Sequence, residues 1–149
     1  MTIAPDLRVA DAGDLADVQA LLKGAGLPFE DLAAHAMRDF IVLRKPAGEL
    51  VAAGGVERYD TDGLLRSVVV SDSVRGTGLG VAITRAVENH ARDQGVTTLY
   101  LLTTTAAEYF PRRGYESFDR SAVPAAIAQS AEFASLCPAS AVCMKKDLE

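Results

Sequence analysis

Tryptophan is absent from this sequence, cysteine and histidine occur twice each, and aromatic residues make up 6% of the chain. Cys137 and Cys143 stand apart from any Cys-x-x-Cys pattern. That spacing argues against both a disulfide framework and a cysteine-based zinc site, so no metal is expected. No stretch approaches the ~18 consecutive apolar residues of a membrane-spanning helix. The opening "MTIAPDLRVADAGDL" has neither the basic start nor the apolar core of a secretory signal, so a cytoplasmic protein with no membrane partner is expected. Basic residues are also in deficit: 15 Lys and Arg stand against 20 Asp and Glu, a formal charge of −5. A broad nucleic-acid surface is thereby disfavoured, and a small molecule is the expected partner.

What is present is an ordinary globular composition, 49% hydrophobic and 23% charged, in 149 residues without repeats or long linkers. One domain over 1–149 is the expectation. "LRVA" (7–10) reads as a strand, and Asp11 as the N-cap of a helix carrying Leu15, Val18, Leu21 and Leu22 on one face and ending at Gly24 and Gly26. A shorter helix is expected around "EDLAAHAM". "FIVLRK" (40–45), "LVAAGGVERY" (50–59) and "LLRSVVVS" (64–71) read as strands joined by tight turns, which suits antiparallel pairing.

From Gly78 the spacing of Leu79, Ile83, Val87 and Ala91 is helical as far as Gly95, and "TTLYLLTT" (97–104) has the apolar, β-branched character of a buried strand reached by a crossover. Helices over 106–113 and 121–133 and strands at "YESF" and "SAVCMKK" complete the pattern. The expected fold class is α/β (α+β): a mixed, mostly antiparallel sheet of six to seven strands with helices on both faces.

The junction "SVVVSDSVRGTGLGVAI" concentrates the chemistry, because alternate glycines and an arginine stand where a strand gives way to a helix. Glycine-rich turns of this kind can serve packing alone. Three alternate glycines also strip side chains from the first amides of a helix, which are unpaired donors at the positive end of its dipole and suit a phosphate. The loop lacks the Gly-Lys-Ser/Thr of a Walker A motif, and its third glycine comes one residue too early for the Rossmann fingerprint. It reads as Arg-x-x-Gly-x-Gly: Arg75, Gly76, Thr77, Gly78, Leu79, Gly80.

This loop, with the strand before it, the helix and strand after it and then "AAEYFPRRGYESF", resembles the GNAT acetyltransferases over about 7–147. More narrowly, "LLRSVVV", "LLTTTAAEYF" and the segment from Arg120 to Lys146 resemble the arsenic-resistance-associated branch of that family. They are also similar to the acetyltransferase domain of N-acetylglutamate synthases. The resemblance implies acetyl-CoA as co-substrate, with direct acetyl transfer to the amine of a small amino-acid-like molecule. An arsenical or phosphinothricin-like compound, glutamate or another amino acid are the implied acceptors, and homodimers occur in the family.

The implied donor site comprises the backbone of Val68, Val69 and Val70, the loop residues Arg75 to Gly80, and Thr105 and Phe110. Glu57 is the carboxylate placed to serve as general base, with a solvated or salt-bridged glutamate as the alternative. The family's general acid is a tyrosine four residues before Gly114, where this chain has Phe110. Tyr109 stands one residue early, about 100° away around an α-helix. Its reorientation by Pro111, another hydroxyl or water, or unassisted departure of the thiolate are the routes left open. Arg66 either grips an acceptor anion or pairs with Glu57, and Ser67 and Ser140 are candidate hydroxyl donors to the acceptor. The Phe110 departure also admits a non-catalytic acyl-CoA-binding sensor or partner domain. For the cysteines a buried structural role is weighed against metalloid binding, and for His35 and His90 a role flanking helices against catalysis.

Overall fold

The computed structural model describes residues 7–104 and 108–148. Among these, seven strands form one sheet: β1 (Leu7–Val9), β2 (Phe40–Arg44), β3 (Leu50–Tyr59), β4 (Asp62–Val70), β5 (Thr98–Thr103), β6 (Glu116–Ser117) and β7 (Val142–Asp147), in the order β1-β2-β3-β4-β5-β7-β6. Every neighbouring pair is antiparallel except β4 and β5. The long connection between those two strands carries a helix, as a parallel crossover requires.

Two helices pack on the sheet. Asp11 caps the entry to α1 (Leu15–Gly24): its carboxylate accepts from the Gly13 amide, while the Asp14 carboxylate accepts from the Asp11 amide, a reciprocal box around a short 3-10 turn. Val18 and Leu22 of α1 are buried with Val42, Ala53 and Val69. The second helix, α2 (Leu79–Asp93), buries Ile83, Val87 and Ala91 with Ala52, Val56, Leu65, Leu99 and Leu101. Adjacent residues such as Ala52 and Ala53 therefore belong to different cores, the period of two that places helices on both faces. Each fully buried aliphatic side chain contributes roughly 1.5–3 kcal/mol to this packing.

Three helical expectations are corrected. The segment "EDLAAHAM" yields a 3-10 helix over Ala34–Asp39. Over 106–113 the described part is a 3-10 turn, Phe110–Arg113, with Pro111 in its first turn. The helix expected over 121–133 is broken into a 3-10 turn at Arg120–Ala122, a single turn α3 (Ala125–Ala128) and a π-helical turn at Glu132–Leu136. Pro124 explains the first break, since it has no N–H to continue a helix and pushes Val123 into an extended conformation, ψ 156°.

Two irregularities in β4 position the site. It pairs with β5 only through Asp62, Gly63 and Leu64, opposite Thr98, Leu99 and Tyr100. Beyond Leu64 the two strands part. On its other edge β4 carries a bulge: Ala53 faces Val69 and Gly55 faces Arg66, so Gly54 alone opposes Ser67 and Val68. Ser67 occupies the bulge with φ 62°, rare for a non-glycine residue.

Candidate active site

A cleft of about 1200 Å³ opens where β4 leaves β5, lined by the strand from Leu65 to Val70 on one side and by Leu101 to Thr104 on the other. The backbone groups of β4 beyond Leu64 have lost their partner strand, so an extended ligand can take its place edge-on.

The glycine loop closes one end. A 3-10 turn, Asp72–Val74, leads through Arg75 to Gly76 (φ 80°) and Gly78 (φ 81°), and α2 begins at Leu79. Gly78 takes the N-cap position without a side-chain cap, and no acidic residue stands in the first turn of α2. The first residues of a 15-residue helix, Leu79 and Gly80, therefore line the cleft without a competing carboxylate in that turn. Arg75 is held beside the loop by Asp72 at 3.0 Å, both side chains being largely exposed. Thr77 points back into the loop, its hydroxyl donating to the Val74 carbonyl at 2.6 Å.

Gly80 tests whether the loop fits a phosphate-bearing group. It is helical, its φ is not positive, and an added Cβ would meet nothing closer than the Tyr109 hydroxyl at 3.5 Å. The fold leaves room for a side chain there, yet the cleft wall is kept bare. Such a cradle suits close approach of pyrophosphate oxygens to amides.

Tyr109 and Phe110 also line the cleft. The Tyr109 hydroxyl lies 3.4 Å from Thr84 Oγ1, against the first turns of α2, and the Arg113 guanidinium covers its ring at 5.6 Å. Phe110 is buried between the rings of Tyr109 and Tyr115. The offset of one residue does not carry Tyr109 away from the cleft, because it sits in a turn ahead of a 3-10 segment rather than on an α-helix.

At the other end, Arg66 lines the cleft wall with its guanidinium fully enclosed. Nε donates to Ser67 Oγ at 2.9 Å, Nη1 to Asp31 and to Glu57 at 2.6 Å, and Nη2 to Asp31 at 2.9 Å and to the Pro28 carbonyl at 3.5 Å. All five N–H groups of the guanidinium are thus engaged by this chain. Of the two roles open to Arg66, the pairing with Glu57 is present, extended to Asp31 and to Glu132 at 3.4 Å. Burial opposes its charge, but these carboxylates more than offset that, and its pKa is raised.

Glu57 is half-buried and lies behind Arg66 rather than on the cleft wall. Its two oxygens accept from Arg66 and, at 2.5 Å, from the Tyr59 hydroxyl. Burial and then Glu57 itself push the Tyr59 pKa upward. Glu132 does line the cleft; burial pushes its carboxyl up to about 7, with Arg66 opposing and Glu57 and Asp31 adding to the rise. Cys137, also on the wall, has its thiol raised to about 11 by burial and then by Glu132.

Of the residues expected at the site, Arg66 to Val70, Arg75, Gly76, Gly78 to Gly80, Tyr109 and Phe110 share this one cleft. Ser140 lies in an exposed turn apart from it, and Thr105 lies outside the described residues. Asp31, Tyr59 and Glu132 went unnoticed in the sequence. A carboxylate in the otherwise apolar "AEFASLC" was a legible sign of a buried charge; Asp31, in a loop after α1, gave none.

A parallel strand pair that opens beside a bare-amide loop defines a class of protein suited to an extended, phosphate-bearing ligand. The chain belongs to the acetyltransferase (GNAT) family, whose family model matches residues 16–115. It is 29% identical over 122 residues to an amino-acid acetyltransferase of Pseudomonas fluorescens, covering 79% of this chain and 28% of that protein. A relative of the same name from Pseudomonas syringae pv. tomato is 27% identical over 129 residues, 84% of this chain and 30% of that one. The chain thus spans less than a third of the curated relatives it matches.

Among solved structures, N-acetylglutamate synthase from Neisseria gonorrhoeae, complexed with coenzyme A and N-acetyl-glutamate, superposes with a TM-score of 0.84 at 18% identity, over 100% of this chain and 36% of that one. Rv2747 from Mycobacterium tuberculosis, in complex with CoA, gives a TM-score of 0.81 at 24% identity over 97% of this chain and 100% of that chain. These likenesses show that the fold is shared. Among the described residues no helix is long and apolar enough to cross a membrane.

Proposed function

We propose that the chain is an acetyl-CoA-dependent N-acetyltransferase that moves the acetyl group directly to the amine of a small amino-acid-like acceptor. The observation that carries this reading is the coincidence of two features in one cleft: β4 freed from β5 beyond Leu64, and the glycine-loop amides at its mouth. In this reading Arg75 and the amides from Gly76 to Gly80 hold the pyrophosphate of the donor. The pantetheine lies along Val68 to Val70, and a backbone N–H near Val69 polarises the thioester carbonyl. Tyr109, with its hydroxyl on the cleft wall, returns a proton to the leaving thiolate.

The relatives named amino-acid acetyltransferase support an amino-acid-like acceptor. The narrower likeness to the arsenic-resistance-associated branch puts arsenical and phosphinothricin-like amines beside glutamate as acceptors to test. We further propose a cytoplasmic protein, one acetyltransferase domain over 1–149, able to form a homodimer. Phe110 at the family's tyrosine position favours a second reading, a non-catalytic acyl-CoA-binding sensor.

Release of CoA thiol by the purified chain, measured across that panel of amines, decides between the two. Turnover is expected with at least one amino-acid-like amine; tight binding of acetyl-CoA with no turnover across the panel would leave the sensor. Arg75→Ala is expected to weaken acetyl-CoA binding about tenfold, roughly 1.4 kcal/mol. Unchanged affinity in that variant would remove Arg75 from the phosphate site.

A further inference from the structure

Three carboxylates surround the buried Arg66, and they differ in what they have left to offer. Asp31 accepts from two guanidinium nitrogens, and Glu57 accepts from Arg66 with one oxygen and from Tyr59 with the other. Neither lies on the cleft wall. Glu132 lies on it, with its side chain 5% exposed, and its polar contact among the described residues is an Oε2 atom 3.4 Å from Arg66 Nε, which already donates to Ser67 at 2.9 Å. The charge count points the same way: Asp31 alone balances Arg66, Glu57 adds a negative charge, and an ionised Glu132 is left without a cation of its own. A cation entering the cleft would supply one, and an acceptor amine at neutral pH is such a cation.

We infer that Glu132 is the catalytic base of this cleft: it receives the acceptor's ammonium group and takes a proton from it, directly or through one water. This rests on the acetyl-transfer reading above, and it moves the base from Glu57, on β3, to the π-helical turn at Glu132–Leu136. The step balances as follows. One proton passes from the ammonium nitrogen to the Glu132 carboxylate, and the freed lone pair attacks the thioester carbonyl carbon. The new C–N bond forms and the C–S bond breaks; the departing thiolate takes a proton from the Tyr109 hydroxyl, and the second proton that the nitrogen sheds restores that hydroxyl, giving the amide and neutral CoA thiol. Glu132 then returns its proton to water.

The groups facing Glu132 set its readiness. Arg66 on β4 favours its charge, whereas burial, Glu57 on β3 and Asp31 after α1 oppose it. Cys137 follows on the same turn, and Arg120 grips the far side of that turn through the Phe133 and Cys137 carbonyls. Glu30 and Lys23 stand further along the cleft wall. The outcome is a carboxyl that titrates at about 7, near the working pH at which a general base is most effective.

The test uses the full chain and the amine of the panel above that it turns over fastest, with kcat/KM followed from about pH 5 to about pH 10. Wild type is expected to show an acid limb with an apparent pKa of about 7. Glu132→Gln is expected to lose about 100-fold or more in kcat/KM at neutral pH, to lose that limb, and to recover as the pH approaches the amine's own pKa. Hydroxylamine, unprotonated at neutral pH, should be acetylated by the variant and wild type alike, since no proton need be removed first. CoA affinity by calorimetry should be unchanged, and Glu57→Gln should keep the acid limb, moved to lower pH because Glu57 no longer opposes the Glu132 charge. The inference is overturned if Glu132→Gln keeps the limb, if it loses activity on hydroxylamine as severely as on the amine, or if the limb vanishes in Glu57→Gln instead. Wild type that binds acetyl-CoA but acetylates no amine overturns this inference together with the reading beneath it.

Discussion

Gly80 and Glu132 are both anomalies of a single residue. Gly80 sits in the first turn of α2 with helical geometry and free space around its missing Cβ, so alanine should suit the fold better by up to about 1 kcal/mol. In the proposed reading, a methyl group there would stand between the helix amides and the donor's pyrophosphate. Gly80→Ala is therefore expected to unfold at the same or a slightly higher temperature while binding CoA at least about tenfold more weakly. Equal affinity, measured by calorimetry, would remove Gly80 from the phosphate site.

Glu132 shows the converse, a residue that costs stability. Its carboxyl is raised from 4.5 to about 7, so the folded chain retains a proton that the unfolded chain would release. Its contribution to stability is therefore complete below about pH 4.5 and is lost as the pH rises through about 7, by roughly 3 kcal/mol at about 1.4 kcal/mol per pH decade. Glutamine cannot ionise, so Glu132→Gln should gain on wild type by that order between about pH 4.5 and about pH 8 in urea unfolding. The same pH slope in both proteins would show that Glu132 is not held in this environment. Neither anomaly was equally visible beforehand: the glycine loop announces itself by spacing, whereas the importance of Glu132 depends on a contact with Arg66 from a strand far away in sequence.

At the scale of elements, legibility followed the range of the forces involved. Strands β3 and β5 and helix α2 fall where hydrophobic period, turn residues and glycine stops place them, because those signals are local. The region after Arg120 escaped, since alanines there favour helix in isolation while Pro124 and the burial of Ile127 and Phe133 against Leu64 and Tyr100 break it into short turns. That fragmentation has a consequence for the site. A continuous helix would have no reason to make a π turn at Glu132, and it is this turn that carries Glu132, Leu136 and Cys137 to the cleft wall. The bulge in β4 was equally hidden: "LLRSVVV" is apolar and β-branched enough to read as a regular strand, and the left-handed Ser67 follows from the mismatch with β3 rather than from its own preference.

At the scale of the whole molecule, the parting of β4 from β5 divides the sheet into two parts, β1 to β4 and β5 with β6 and β7. Three facing residue pairs, the α2 core and the smaller core of Leu64, Tyr100, Ile127 and Cys143 join them on the described chain. Such a seam leaves backbone donors and acceptors of the two strands without a partner strand, open to an added extended segment. If the donor lies between the strands as an additional strand, its binding should act as a clasp on the entire domain rather than on one loop. Saturating CoA, at about 100 times its dissociation constant, should then add about 2.7 kcal/mol to the unfolding free energy. Hydrogen exchange by mass spectrometry should slow in peptides covering Leu65 to Val70 and Leu101 to Thr103, as well as at the loop from Gly76 to Gly80. Protection confined to the loop would mean that the phosphates are held while the seam stays open. The strands would then be a packing feature, and the acetyl group would lack the path along β4 that brings it toward Glu132.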